Sequence, residues 1–100
     1  MAQPEIKFSS ESINDLVILR FRVNRRWVDD FFELQDQAMK YIDPKSIVQA
    51  EAYWVGDELV VEYTYAGYDE AELVKIFRMV AWVWGINLRK VKIQEVVLDE

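Results

Sequence analysis

The chain has 100 residues, about the length of one domain, and a formal net charge of −6 from 18 acidic and 12 basic residues. This acidic balance argues against nucleic acid and anionic membranes as partners, because both repel a negatively charged protein. Cysteine and histidine are absent, which excludes disulfides, thiolate metal sites, cysteine nucleophiles and every site that depends on imidazole.

Residues 1–14 are polar and lack a regular apolar pattern. We expect them to form an N-terminal arm anchored by Ile6 and Phe8, with a short leading strand as the alternative. The segment lacks the basic start and apolar run of a signal peptide. The longest apolar run, Met79–Trp84, is too short to span a membrane. The sequence therefore predicts a cytoplasmic protein without a membrane partner.

Residues 15–23 alternate in hydropathy and predict the first strand. Its apolar face consists of Val17, Leu19, Phe21 and Val23. Asn24 is a suitable cap for a helix over residues 25–42, which Asp43-Pro44 ends. The apolar stripe of this helix consists of Trp27, Phe31, Leu34, Ala38, Tyr41 and Ile42.

Residues 47–55 and 58–65 predict the two strands of a hairpin, because Gly56-Asp57 between them is typical of a two-residue type II′ turn. That turn also sets the register of the two strands. We expect Trp54 opposite Leu59, Ala52 opposite Val61, Ala50 opposite Tyr63 and Val48 opposite Tyr65.

A second helix is predicted over residues 70–84, since Asp69 and Glu72 form a capping box and Gly85 stops the helix. Its core stripe consists of Leu73, Ile76, Phe77, Val80 and Trp84. Residues 88–98 predict a last strand. The order β-α-β-β-α-β, in a single domain of residues 15–100, favours a ferredoxin-like α+β sandwich. We expect a four-stranded antiparallel sheet in the order 4-1-3-2 with two helices on one face.

The other face of this sheet is predicted to be open and to hold the main candidate site. Its ligand or interface residues are Ile18, Arg20, Arg22, Glu51, Tyr53, Val60 and Glu62. Glu51 lies opposite Glu62, and the strand order brings Arg20 or Arg22 beside Glu62. The face then changes from acidic on the hairpin to basic on the outer strands. It either pairs with a second copy around a two-fold axis or stays solvated and held by salt bridges.

The stretches "LVILRFRVNRRWVDDFFELQDQAM" and "AEAYWVGDELVVEYTYAGYDEAELVKIF" resemble the dimeric α+β-barrel superfamily, which includes antibiotic-biosynthesis monooxygenase-like proteins. The resemblance covers most of residues 15–80 and rests on element lengths rather than on a diagnostic motif. It implies a homodimer whose two sheets enclose a small ligand. Members often use a histidine or another polar residue inside the barrel. This chain has no histidine, so no catalytic residue is carried over.

Three further patterns are candidate sites. Arg25 and Arg26 precede the first helix, where free backbone N–H groups attract anions, and the alternative is that both are solvated.

Glu51, Glu58 and Glu62 resemble a carboxylate cluster for a hard cation or for acid–base chemistry, but neighbouring arginines favour salt bridges. Tyr63 and Tyr65 resemble the base-stacking aromatics of RNA-recognition domains, yet the register places them on the helix-packed side.

Trp82 is the most conspicuous side chain of the second helix, because it lies opposite Leu73 and beside Arg78 and Met79. One explanation is cover within the chain, either by Arg78 stacked on the indole ring or by a terminal segment. The other is contact with a second subunit or a protein partner. Arg78, Met79 and Trp82 are therefore a candidate interface.

The leading hypothesis is a small non-catalytic homodimer that binds a protein partner or a small ligand through its open sheet face. The second is a dimeric α+β-barrel enzyme acting on a small organic substrate, and the third is an acidic regulatory or inhibitory protein that binds a basic partner. The enzyme's polar groups would be Arg20, Arg22, Glu51, Tyr53 and Glu62. No catalytic residue, metal ligand or cofactor is predicted. An enclosed pocket with convergent polar groups distinguishes an enzyme from a binding protein.

Overall fold

The computed structural model describes residues 2–93, which form five strands and two α-helices. The strands are β1 (Glu5–Ile13), β2 (Leu16–Asn24), β3 (Ile47–Val55), β4 (Glu58–Ala66) and β5 (Asn87–Lys90), and the helices are α1 (Val28–Ala38) and α2 (Glu70–Val83). Short 3-10 turns, Arg25–Trp27 and Pro44–Ser46, precede α1 and β3. The prediction of an α+β fold with two helices is confirmed for these residues.

Strand β1 takes the place of the predicted N-terminal arm. It pairs antiparallel with β2 through a two-residue turn, Asn14-Asp15. The φ angles of the turn residues are 48° and 66°, which matches a type I′ hairpin. Asn and Asp tolerate this left-handed backbone better than other L-residues, so the dipeptide is the signal for β1. Ile6 and Phe8 are buried in the core, as the anchoring role predicted.

The sheet order is β3-β4-β2-β1-β5, which differs from the predicted four-stranded antiparallel sheet. Because β1 folds back directly onto β2, it takes the place beside β2 that was predicted for the last strand. Strand β5 then pairs with β1, in parallel, over Glu5–Phe8. The four predicted strands keep their relative order around this insertion. The last strand was predicted over residues 88–98, of which 94–98 lie outside the described residues.

The β3–β4 hairpin confirms the predicted turn and most of the predicted register. Gly56 has a φ of 60° while Asp57 is not among the positive-φ residues, as a type II′ turn requires. The pairs Trp54–Leu59, Ala52–Val61 and Ala50–Tyr63 are as predicted. The fourth pair is wrong, because a β-bulge between residues 47 and 49 places Ile47 opposite Tyr65. The bulge directs Ile47 toward the core and leaves Val48 exposed.

Helix α1 is shorter than the predicted range of 25–42. The side chain of Asn24 caps the preceding 3-10 turn by accepting a hydrogen bond from the Arg26 N–H. The helix ends at Ala38, after which the N–H groups of Lys40 and Tyr41 donate to carbonyls three residues back. Asp43 then turns the chain into extended backbone. The Asp43 side chain accepts from the Lys45 N–H, and its own N–H donates to the Tyr68 hydroxyl at 2.9 Å. Four stripe residues are buried as predicted, namely Phe31, Leu34, Ala38 and Ile42, whereas Trp27 is half-buried and Tyr41 is exposed.

Helix α2 has both predicted end signals. Asp69 and Glu72 form the complete capping box, and Gly85 has a φ of 69° beyond the last turn. The prediction of a buried Trp84 is wrong, because the helix ends at Val83 and Trp84 is 49% exposed. Ala81 and Ile86 close the core at this end instead.

The core lies between the sheet and both helices. The Phe21 ring of β2 lies 5.2 Å from the Phe31 ring of α1 and 5.1 Å from the Phe77 ring of α2. Because one strand residue contacts both helices, the two helices cover the same face of the sheet, as predicted. Each buried Phe of this kind contributes about 1.5–3 kcal/mol to stability. The other face of the sheet carries no helix among the described residues.

Candidate interaction surfaces

The predicted sheet-face residues do share one face of the sheet. In the observed registers Arg20 is opposite Glu62 and Arg22 is opposite Val60. Glu51 is also opposite Glu62, and Tyr53 is opposite Val60. Ile18 follows the same alternation on β2. Val60 is only 1% exposed. Val60 therefore offers almost no surface to a partner in this arrangement.

Arg20 forms the centre of an ion-pair network on this face. Its Nε donates to Glu62 Oε2 at 2.6 Å, and its Nη1 donates to Glu11 Oε1 at 2.8 Å. Burial alone would lower the pKa of the guanidinium, but the hydrogen bonds to Glu62 and Glu11 raise it above its ordinary value. The sequence predicted Arg20 or Arg22 beside Glu62, and the structure places Arg20 there. The prediction missed Glu11, because the segment that carries Glu11 was assigned to an arm.

Two further ion pairs lie on this face. Arg22 Nε donates to Glu58 Oε1 at 2.8 Å, and Arg89 Nη1 lies 4.0 Å from Glu5 Oε1. Strand β1 thus places Glu5 and Glu11 between the basic residues of β2 and β5. The open sheet face therefore does not change steadily from acidic on the hairpin to basic on the outer strands, as was predicted.

The carboxylate cluster of Glu51, Glu58 and Glu62 is occupied by other contacts. Glu58 and Glu62 accept hydrogen bonds from arginines, and Glu51 accepts one from Gln49 Nε2 at 3.1 Å. Among residues 2–93, no three or more acidic side chains are grouped closely enough to hold a metal ion. A groove of about 510 Å³ runs beside the network, lined by Ser9, Ser10, Glu11, Arg20, Lys90, Val91, Lys92 and Ile93.

The predicted anion site at Arg25 and Arg26 is used for internal contacts. The Arg25 guanidinium lies 4.8 Å from the centre of the Trp54 ring, and that of Arg26 lies 5.0 Å from the Trp27 ring. Their backbone N–H groups donate to Asp57 O and Asn24 Oδ1. These two backbone donors therefore already have acceptors, and an anion at this site would have to be held by the guanidinium groups.

The tyrosines Tyr63 and Tyr65 lie on the helix side of the sheet, as predicted. Tyr65 is fully buried, and Tyr63 packs against the core. Burial raises the pKa of the Tyr65 hydroxyl well above its ordinary value. Burial, together with the nearby Asp36 carboxylate, also raises the pKa of Tyr63. Neither ring is presented for base stacking on the open face.

The outer face of α2 is the most exposed apolar surface among the described residues. Trp82 is 85% exposed and Val83 is 71% exposed, and the exposed Met79 lies one turn before them. Within residues 2–93 nothing covers the Trp82 ring. Arg78 does not stack on it, but lies over the Phe8 ring at 5.4 Å. The alternative of cover within the chain is therefore not met by the described part of the chain.

A groove follows the same helix along its border with β5. One part, of about 490 Å³, is lined by Glu70, Ala71, Val74, Lys75, Arg78 and Lys90. A second part, of about 270 Å³, is lined by Gln3, Arg78, Ala81, Trp82, Ile86, Asn87 and Leu88. Arg78 lines both parts, so they form one surface, which we call the α2–β5 groove. Its apolar floor is flanked by Lys75, Arg78 and Lys90.

Comparison with known proteins assigns no family to the chain. No protein-family model, no curated protein and no solved structure matches it. The resemblance to the dimeric α+β-barrel superfamily therefore stays a prediction. No helix in residues 2–93 is long and apolar enough to cross a membrane.

Proposed function

We propose that this protein is a non-catalytic binding module that captures an acidic, apolar segment of another protein in the α2–β5 groove. The observation that carries the proposal is the 85% exposure of Trp82, with Val83 exposed on the same turn. Exposed apolar surface costs about 25 cal/mol per Å², so covering it with a partner is favourable. Tryptophan is also among the residues that most often anchor protein interfaces.

The charges around the groove support an acidic partner. The whole chain carries a net charge of −6, yet the charged residues that line this part of the groove are three basic ones, Lys75, Arg78 and Lys90, and one acidic one. The acidic residue, Glu70, already accepts a hydrogen bond from Ser10. A local basic border in an acidic protein attracts acidic segments and disfavours basic ones. The linear shape of the groove, parallel to a helix, suits a short amphipathic segment that inserts its apolar side chains beside Trp82.

Site-specific photo-crosslinking tests this function. A benzoylphenylalanine placed at Met79 should crosslink one main protein in cells, because Met79 is exposed beside Trp82. The same group at Tyr41, which is exposed in the turn after α1, is the matched control. The purified partner should then bind the wild-type chain, and Trp82→Ala should weaken binding by about thirtyfold.

Charge reversal completes the test. Lys75→Glu should weaken binding of the captured protein and make the residual affinity less sensitive to salt. Tyr41→Ala should leave the affinity unchanged. Equal crosslinking from Met79 and Tyr41, or a captured protein that binds Trp82→Ala as well as wild type, would refute the proposal.

The open sheet face supports a second candidate, the small-ligand site of a homodimer. The observation in its favour is the groove of about 510 Å³ beside Arg20. We also infer that the fold is a ferredoxin-like unit with an added strand, since β2-α1-β3-β4-α2-β5 has the βαββαβ order. A dimeric α+β-barrel enzyme would need two such faces to enclose the groove. A dimer that loses its subunit contact on Ile18→Glu substitution would favour this candidate.

A further inference from the structure

The outer edge of β3 presents an unusually complete template for another strand. Strand β3 lies at one end of the sheet order, and the side chains from Val48 to Ala52 are all exposed. An edge strand is ordinarily protected by charges, proline or shortness. The sequence of β3, IVQAEAYWV, has nine residues, no proline and one charged side chain, Glu51. These features favour pairing with a further strand.

The hairpin geometry defines which backbone groups of β3 point outward. Val55 and Glu58 close the two-residue turn and are therefore a hydrogen-bonded pair. Since hydrogen-bonded and non-hydrogen-bonded pairs alternate, Ala50, Ala52 and Trp54 direct their N–H and C=O groups away from β4. The bulge before Gln49 ends this regular edge. The available edge thus runs from Gln49 to Val55.

The side of β3 that faces the helices combines two small residues with one large residue near the free edge. Ala50 and Ala52 are small and exposed, whereas Trp54 is large and 50% exposed. Ala50 pairs with Tyr63, and Asp36 of α1 is close enough to raise the pKa of Tyr63. A shelf therefore exists above Ala50, bounded by Tyr63 and by the acidic side chain of Asp36. We expect this shelf to accept one large apolar side chain, because Ala50 itself fills little of it.

We propose that a second copy of this chain occupies the β3 edge, antiparallel, with Ala52 opposite Ala52 of the second copy. In this register Ala50 faces Trp54 of the second copy, so all three outward-pointing residues of each copy take part in hydrogen-bonded pairs. Each Trp54 ring then lies on the other copy's shelf above Ala50. The two sheets become one continuous sheet around a two-fold axis.

Charge complementarity selects this occupant and this register. Glu51 faces Tyr53 of the second copy, whereas centring the axis on Glu51 would oppose two carboxylates. The Arg25 guanidinium stacks on Trp54 at 4.8 Å, so it travels with that ring to the other copy's shelf. Arg25 of each copy thereby approaches Asp36 of the other. Centring the axis on Ala50 would bring the bulge at Val48 into the ladder and interrupt it.

Light scattering coupled to size-exclusion chromatography tests the dimer. We expect the wild type to be a dimer at high micromolar concentration. Ala52→Pro removes one outward N–H and no β3–β4 hydrogen bond, so it should yield a folded monomer. Ala52→Thr, which keeps the N–H and suits a strand, is the matched control and should remain a dimer. Circular dichroism of both variants verifies that the fold is retained.

A charge swap tests the register. Arg25→Asp and Asp36→Arg should each lower the dimerisation constant by about tenfold, and the double variant should recover most of it. A monomeric wild type would overturn the proposal and leave β3 to an extended peptide of another protein. A dimer that survives Ala52→Pro, or a double variant as weak as the product of the two single effects, would also overturn it. None of these substitutions touches the α2–β5 groove, so failure here does not affect the proposed function.

Discussion

Arg20 connects strands that are not neighbours in sequence. Its guanidinium binds Glu62 on β4 and Glu11 on β1, across the strand that carries it. The Arg20 side chain is 12% exposed, so water and salt screen these contacts less than they screen a surface pair. The network therefore links three strands on the face that no helix covers among the described residues.

Replacing Arg20 by glutamine should reduce the free energy of unfolding by about 1.5–3 kcal/mol, because charge-assisted hydrogen bonds to two carboxylates are lost. Arg89→Gln is the matched control, since the Arg89–Glu5 pair is exposed and longer, and it should cost less than about 1 kcal/mol. Urea denaturation at neutral pH measures both values. Equal losses for the two variants would contradict this account of the network.

The hydroxyl group of Tyr65 is buried without satisfied hydrogen bonds in the part of the chain that the structure describes. The hydroxyl has no hydrogen-bond partner of good geometry within residues 2–93, and the same holds for the buried Oε1 of Gln35. Burial raises the pKa of Tyr65, so the folded protein keeps the hydroxyl protonated at pH values where the unfolded chain releases its proton. Because of this difference, the free energy of unfolding depends on pH in alkaline solution.

The free energy of unfolding should fall as pH rises above the ordinary tyrosine pKa of 10.0, because the unfolded state then binds fewer protons than the folded state. The slope is about 1.4 kcal/mol per pH unit for each protected tyrosine. Below that pH the contribution is fully present. Tyr65→Phe should flatten the dependence, leaving the part due to Tyr63. Denaturation curves measured between about pH 9 and pH 11, the range in which an unfolded tyrosine titrates, give this slope. An unchanged slope in Tyr65→Phe would count against this explanation.

At the scale of elements, periodicity and turn chemistry predicted both helices, the β3–β4 hairpin and its turn type. They failed where a competing local contact decided the outcome. The bulge that shifts Ile47 and the early end of α1 at Ala38 depend on local contacts that alternation alone does not contain. Strand β1 confirms the alternative of a leading strand over the preferred arm, and its polar side chains conceal it although Asn14-Asp15 is a turn signal. Trp84 was wrongly predicted to be buried, because the apolar spacing of α2 continues in the sequence past Val83, where the helix ends.

Strand β1 should be indispensable for folding, since it contributes Ile6 and Phe8 to the core and separates β2 from β5. Deleting residues 1–13 should abolish the cooperative unfolding transition and the near-ultraviolet circular dichroism signal. Phe8→Ala, a milder change at the same site, should cost about 3–5 kcal/mol. Removal of Ala2 alone is the control and should keep the wild-type transition. A truncated chain that still unfolds cooperatively would restore the arm hypothesis.

At the scale of the molecule, the two proposed surfaces lie at opposite ends of the sheet. Strand β3 forms one edge and β5 forms the other. A dimer formed through β3 therefore leaves both α2–β5 grooves open, one at each end of the joined sheet. Such a dimer would present two partner sites facing away from each other. Two weak partner contacts would then act together on a divalent target and gain effective affinity.

The parallel pairing of β1 with β5 also has a consequence for folding kinetics. It joins residues near the two ends of the described chain, so it closes a very long loop, whereas the β1–β2 hairpin closes a minimal one. During synthesis β1 and β2 emerge together, but the partner of β1 emerges only after α2. The edge of β1 must therefore wait, unpaired, until α2 and β5 have been synthesised. A circular permutant that joins the chain ends would make this distant pairing local, and it should fold faster without a change in the sheet.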